Sequence, residues 1–270
     1  MSLKLDTLAY TNSLSNLPPE HKLIFAIVVL TIALFAHPPV QGLIIIWMSI
    51  WTIIYARTPP EIYWRMLYLA ALFWLTSLPA IAINLVSVAN ISLIQADVLQ
   101  GMTLGSNYFY ISRNGSELAL TIFARSLSSV CCMYFLLLTV PFAAILQTLR
   151  RVGLPAILTE LLLLMYRFIF TLLSATQELW IAQQSRAGYR TWRTSINSLS
   201  LLVGQLFHRT MVHYHQFSLG LEARGFTGEL RVWHSRRYCY SQRYALEAII
   251  GCGVLIGLEC LTNVTIFARN

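Results

Sequence analysis

Leu118–Val140 reads LALTIFARSLSSVCCMYFLLLTV, carries one charge, Arg125, and stops at Pro141. As a helix its 23 residues rise about 35 Å, enough to cross the roughly 30 Å hydrocarbon core of a bilayer. Similar apolar runs flank it. One lies near 20–36, where Pro18-Pro19 suits a helix start and Lys22 is placed to snorkel. Others lie near 40–56, with Trp47 and Trp51 inside, near 63–85, with Arg65 at the start, and from about Tyr244 to Val264. His37-Pro38-Pro39 and Arg57-Thr58-Pro59-Pro60-Glu61 break the chain between them. From Ser87 to Glu117 the hydropathy falls, and Asn90, Asp97, Gly101, Gly105 and Asn107 mark a loop with room for a short helix.

Composition agrees. The chain is 57% hydrophobic and only 11% charged, with a mean hydropathy of +0.62. A soluble domain carries about 25% charged residues, and no soluble core buries this much apolar surface. The fold class expected is all-α: a polytopic membrane protein with about five or six transmembrane helices. Cys131-Cys132, Cys239, Cys252 and Cys260 show no CxxC or framework spacing. The polar residues 1–22 do not read as a signal peptide.

Basic residues orient the spans. Lys4 and Lys22 precede the first run and Arg57 follows the second, whereas the His37 turn has neither Lys nor Arg. The positive-inside rule places the N-terminus in the cytoplasm and the 87–117 loop outside. The localisation expected is the cell (inner or plasma) membrane, multi-pass.

Three regions follow: a transmembrane part, 1–141; a basic cytoplasmic helical module, 142–243; and a final span with its tail, 244–270. Between Arg150 and Arg243 there are twelve arginines and four glutamates, an excess equal to the whole chain's net charge of +8. The module reads as three helices. The first runs from Phe142 to Arg151, the second from Pro155 to about Ala187. The third starts at an Asn or Ser cap near Ser195 and runs to Arg224, with an apolar stripe at Leu199, Val203, Leu206, Thr210, Tyr214, Phe217 and Leu221. No basic tract is interleaved with exposed aromatics, so nucleic acid is not an expected partner. The bilayer is.

Both long helices of the module end alike, in Ser185-Arg186-Ala187-Gly188 and Ala223-Arg224-Gly225. An Arg in a last turn complements the helix dipole, and Gly suits the position just past it. Two such ends in one basic module also suit docking, because an Arg between small residues can enter a groove and pair with a carboxylate. Arg125 and Arg167, in apolar stretches, are expensive facing lipid. Both are expected to turn into a helix bundle and pair with carbonyls or an acid. Glu160 lies two turns before Arg167 on the same face.

No catalytic or metal pattern stands out. His208, His213 and His215 lack the i, i+4 spacing that places two imidazoles over one ion. Walker A, HExxH, GxSxG and CxxC motifs are absent. An intramembrane enzyme using Arg125, Glu160, Arg167 and the histidines is the competing reading; a secondary transporter is another, but the halves are unlike.

At these residues the chain resembles the T component of energy-coupling factor transporters, the EcfT/CbiQ family. The resemblance rests on the order of the spans and the two Arg triplets. It rests also on Arg125, Leu138-Thr139-Val140-Pro141, Leu149-Arg150-Arg151-Val152-Gly153-Leu154-Pro155 and Tyr166-Arg167. Asp6-Thr7-Leu8 and Leu17-Pro18-Pro19-Glu20-His21-Lys22 are similar to the cobalt/nickel CbiQ branch. Ala187 departs from the pattern, standing where Gly is usual.

The resemblance implies a non-catalytic subunit whose Ser185-Arg186-Ala187 and Ala223-Arg224-Gly225 dock on two ABC-type ATPase subunits. It implies that ATP is bound by those partners, with no cofactor in this chain. A membrane substrate-binding subunit of the CbiM or NikM type, and a small accessory membrane subunit, complete the implied assembly. The cargo implied is cobalt or nickel ions, with a vitamin such as biotin as the alternative.

Overall fold

The computed structural model describes residues 8–87, 98–104, 107–225, 238 and 241–267. In chain order the elements are α1 (Pro19–Phe35), α2 (Pro38–Ile50), α3 (Pro60–Ala82), β1 (Ile83–Ser87), β2 (Val98–Leu104), β3 (Asn107–Ser112), α4 (Arg113–Thr139), α5 (Phe142–Val152), α6 (Ala156–Ser185), α7 (Trp192–Ala223) and α8 (Gln242–Phe267). They divide into two compact units: Met1–Phe142 with Arg237–Asn270, and Ala143–Arg236.

The protein is a polytopic membrane protein built of α-helices, with one small sheet. Pro38–Tyr55, Gly115–Thr139, Ala156–Ser185 and Gln242–Val264 are each long and apolar enough to cross a bilayer. The expected first and third spans are the 17-residue α1 and the 23-residue α3. Only 6% of the most apolar window of α6 and of α8 is buried within the chain. Their apolar surfaces are therefore left for lipid or for other protein.

The 87–117 segment differs from expectation. Instead of a loop with a short helix, its described residues and the end of the expected third span form an antiparallel sheet, order β1-β3-β2. Ile83 pairs with Ile111 and Ser87 with Asn107, while Val98 pairs with Ser112 and Leu104 with Asn107. Asn107–Ser112 (NYFYIS) is rich in aromatic and β-branched residues, which favour a pleated surface over a helix. Ser112 then caps α4, its Oγ accepting from the Gly115 N–H at 3.0 Å.

In the first unit the core gathers Phe25, Ala26, Val29 and Ala33 of α1, Val40, Ile44 and Met48 of α2, and Tyr63 of α3. It also takes Cys131, Phe135 and Leu138 of α4 and Leu255 of α8. Phe25 meets Trp47 edge-on at 5.3 Å and Phe135 at 5.6 Å. Gly251 of α8 lies so close to the Trp47 indole that a Cβ there would overlap the ring.

Polar groups serve the places where helices break. Pro38-Pro39 stops α1 and its ladder of N–H donors, and the fully buried Gln41 serves two carbonyls at this break. Its Nε2 donates to Ala33 O at 3.1 Å and Ala36 O at 2.8 Å. A π-helical turn at Trp51–Tyr55 ends α2, and Thr58 Oγ1 donates to Thr52 O at 2.6 Å. Pro141 stops α4, and Asn12 Nδ2 donates to Leu138 O at 3.0 Å and Thr139 O at 3.2 Å. Lys22 does not snorkel to water: it is buried, with Nζ donating to Thr139 O at 3.2 Å. His37 binds Glu259 of α8 twice, through Nδ1 at 2.6 Å and its backbone N–H at 3.1 Å. Tyr63 bonds Ser49 at 2.7 Å, joining α3 to α2.

Replacing Gln41 by Leu leaves the last carbonyls of α1 without donors. Stability is expected to fall by about 1–3 kcal/mol, read as an earlier thermal unfolding midpoint in detergent. An unchanged midpoint would show that the α1–α2 turn does not depend on this side chain.

Candidate functional site

The second unit is built on the antiparallel pair α6 and α7. Phe168 and Phe217 meet edge-on at 6.0 Å, Arg209 pairs with Glu178 at 3.2 Å, and Gln183 Nε2 donates to Ser198 O at 2.9 Å. These contacts run in opposite directions along the two helices. At 1.5 Å per residue the 32-residue α7 is about 48 Å long. Arg186 sits beside its start and Arg224 at its end, so the two arginines lie at opposite ends of one helix.

The two triplets share a backbone geometry. Arg186 is the C-cap of α6 with φ −91° and ψ 17°, and Arg224 is the C-cap of α7 with φ −94° and ψ 8°. The next residue turns left-handed in both, Ala187 at φ 55° and Gly225 at φ 66°. Gly188 N–H donates to Gln183 O at 3.0 Å and Ala187 N–H to Gln184 O at 3.1 Å. That is the full Schellman pattern. Gly225 N–H makes the matching bond to Glu222 O at 3.0 Å. Ala187 therefore adopts the conformation for which Gly is the usual choice. Arg186 and Arg224 are exposed, and neither guanidinium binds another described residue.

The connection from α6 to α7 is held at several points. Ser198 Oγ donates to Gly188 O at 2.9 Å, and a Cβ on Gly188 would sit 2.6 Å from that Oγ. Tyr189 stacks on Trp180 at 4.3 Å and donates to Gln183 Oε1 at 2.6 Å. Thr191 forms a capping box with Thr194. The cap of α7 is thus Thr191, not a residue near Ser195, because Thr191 is extended (φ −126°, ψ 158°) and reaches the N–H of Thr194.

The expected stripe on α7 holds only in part. Leu206, Thr210, Phe217 and Leu221 are half-buried, but Leu199, Val203 and Tyr214 are exposed. Ser195, Ser198 and Leu202 take the packed side near the start of α7. The close approach at Gly188 requires a small residue there, and Ser198 supplies one.

The intramembrane arginines also depart from expectation. Arg125 does not turn into the bundle of the first unit; both Arg125 and Arg167 are exposed, and neither side chain binds another described residue. On α4 the bundle packs against Ser128, Cys131, Phe135 and Leu138, which leaves Arg125 outside it. Glu160 is half-buried and forms no ion pair with Arg167. His208, His213 and His215 are exposed, and among the described residues no three metal-binding side chains converge. The His37–Glu259 contact was not legible from spacing, since 222 residues separate the pair.

A left-handed Ala costs about 1 kcal/mol relative to Gly. Ala187→Gly should slow amide exchange at the end of α6, and Gly225→Ala should speed it at the end of α7. Hydrogen exchange with mass spectrometry reads both, and equal rates in variants and parent would contradict the shared geometry.

The comparisons with known proteins agree with this architecture. The family model described as CbiQ, cobalt transport protein, matches residues 10–233. The cobalt transport protein CbiQ of Salmonella typhimurium is 30% identical over 233 residues, covering 84% of this chain and 99% of that protein. The CbiQ of Rhodobacter capsulatus is 29% identical over 259 residues, covering 93% of this chain and 98% of that protein. A putative fused cobalt transport protein CbiMQ of Methanocorpusculum labreanum is 28% identical over 257 residues. The match takes in 95% of this chain, but only 42% of the fused protein's length. By its sequence, its spans and these matches, the chain belongs to the CbiQ cobalt transport protein family, as a multi-pass membrane component.

Proposed function

We propose that this chain is the transmembrane coupling subunit of an ATP-driven importer of the energy-coupling factor type, carrying cobalt or nickel ions. The observation that carries the reading is the pair of matching helix ends, each an exposed C-cap Arg followed by a left-handed residue, at opposite ends of the roughly 48 Å α7. One groove cannot take both arginines at that separation; two ATPase subunits, one for each, can. Each guanidinium enters a groove and pairs with a carboxylate, a desolvated and directional contact. ATP is bound and hydrolysed by those partners, and their motion passes along two stiff helices. This chain performs no catalysis and needs no cofactor of its own. The N-terminus is cytoplasmic, as the basic flanks favour.

The names of the related CbiQ proteins favour a metal ion over a vitamin as cargo. The fused CbiMQ relative favours a CbiM-type membrane subunit as the substrate-binding partner. A small accessory membrane subunit completes the assembly.

Arg186→Ala or Arg224→Ala should weaken ATPase docking by about 2–5 kcal/mol each, because a partner carboxylate is left unpaired. Co-purification of the tagged chain from native membranes checks this. Loss of the ATPases in the double variant is the expected result; full retention, with normal metal uptake, would sink the reading.

A further inference from the structure

We infer that the outward side of α4 around Arg125 is the seat of a second membrane subunit, which meets this guanidinium with a carboxylate. The inference deepens the proposed function and rests on it for the presence of such a subunit. Arg125 lies ten residues from Gly115 and fourteen from Thr139 in the membrane-crossing stretch. Those separations are about 15 Å and about 21 Å along the helix, more than an Arg stem spans. Snorkelling therefore does not bring the charge fully to either surface, and a bare charge at that depth is too costly to face lipid.

The chain offers it no counter-charge among the described residues. Within the spans, Glu247 is taken by Arg243 at 3.1 Å, Glu259 by His37 at 2.6 Å and Glu178 by Arg209 at 3.2 Å, while Glu117 and Glu160 have interactions of their own. Leu118, Thr121, Ile122 and Ser129 share the side of Arg125, at helical spacings of three, four and seven. Leu118 is exposed and the other three are half-covered. Two turns further on, Cys132 on the same side is 1% exposed, so the chain's own packing closes there. Ser128, three residues after Arg125, is fully buried and bounds the open side on one flank, so the patch is confined to Leu118, Thr121, Ile122, Arg125 and Ser129. Thr121 and Ser129 turn their hydroxyls to backbone carbonyls, Glu117 O at 2.8 Å and Arg125 O at 2.8 Å. They leave a low, self-satisfied surface of the kind that lets membrane helices approach closely. A relative named as a putative fused cobalt transport protein CbiMQ favours a CbiM-type partner for this chain.

The test uses the whole transporter in native membranes. A photoreactive benzoyl-phenylalanine replaces Ile122 or Ser129, with Phe73 of α3, 72% exposed, as the comparison position. After irradiation the adduct is mapped by mass spectrometry. Positions 122 and 129 should crosslink to an apolar span of a second membrane subunit that contains an Asp or Glu. Arg125→Leu should reduce that adduct about tenfold or more, Arg125→Lys much less, and an acid→Arg change in the partner should restore it to Arg125→Glu. Lipid adducts alone, a second copy of this chain, or attachment to residues 143–236 of the same chain would each overturn the inference. The mapping with Arg125 intact decides the matter even where a substitution prevents folding. ATPases retained through Arg186 and Arg224 in the same preparations are scored separately, so the proposed function stands or falls independently.

Discussion

Carbonyl oxygens freed at proline breaks have no water to turn to inside a bilayer, and the first unit is organised around supplying them with donors. Pro38-Pro39 is answered by Gln41, and Pro141 by Asn12 and Lys22. At the turn before Pro59, Thr58 answers the carbonyl that the π-helical end of α2 leaves open. The last donors are remote: Asn12 reaches Leu138 across 126 positions. Ending α4 therefore also pins the segment before α1 against it. Apolar packing alone does not drive helices together in lipid, because tails solvate Leu as well as a neighbouring helix does. The hydrogen bonds at the breaks, with the close fit of Gly251 against Trp47, give the bundle its specific arrangement.

The second unit answers a different demand. A docking tip gains affinity when its geometry is set before the partner arrives. The connection from α6 to α7 meets that condition through Gly188 on Ser198, Tyr189 on Trp180 and the Thr191–Thr194 capping box. These contacts also sustain the left-handed Ala187, a conformation that would be costly in an unconstrained turn. The end of α7 has Gly225 for the same turn and needs no such support. The two ends present one shape by different local means.

The sequence was read correctly where a single physical rule dominates. Length and apolar content picked out the runs near 40–56, 118–140 and 244–264, though not Ala156–Ser185, which reads as part of the basic module because its second half is polar. Pro18-Pro19 marked a helix start because a first-turn residue loses nothing with its N–H, and the prolines at 38–39 and 59–60 marked breaks. The Arg triplets were visible because cap residues act locally. Reading failed where two rules compete. The 87–117 segment looks like a loop by hydropathy, yet its short aromatic and β-branched runs pair as a sheet. The front of α7 looks apolar at Leu199 and Val203, yet the close crossing at Gly188 selects Ser198 and Leu202 for the packed side.

By itself the sequence determined that this protein lives in a membrane, where its helices break, and which two helices end in an exposed Arg, since these follow from composition and from interactions within one turn. Only the tertiary structure decided which carbonyl each polar side chain serves, that His37 meets Glu259, and that Arg125 faces away from its own bundle. Those outcomes join residues far apart in the chain. They depend on how each helix is rotated about its axis, which is set by all of its neighbours together.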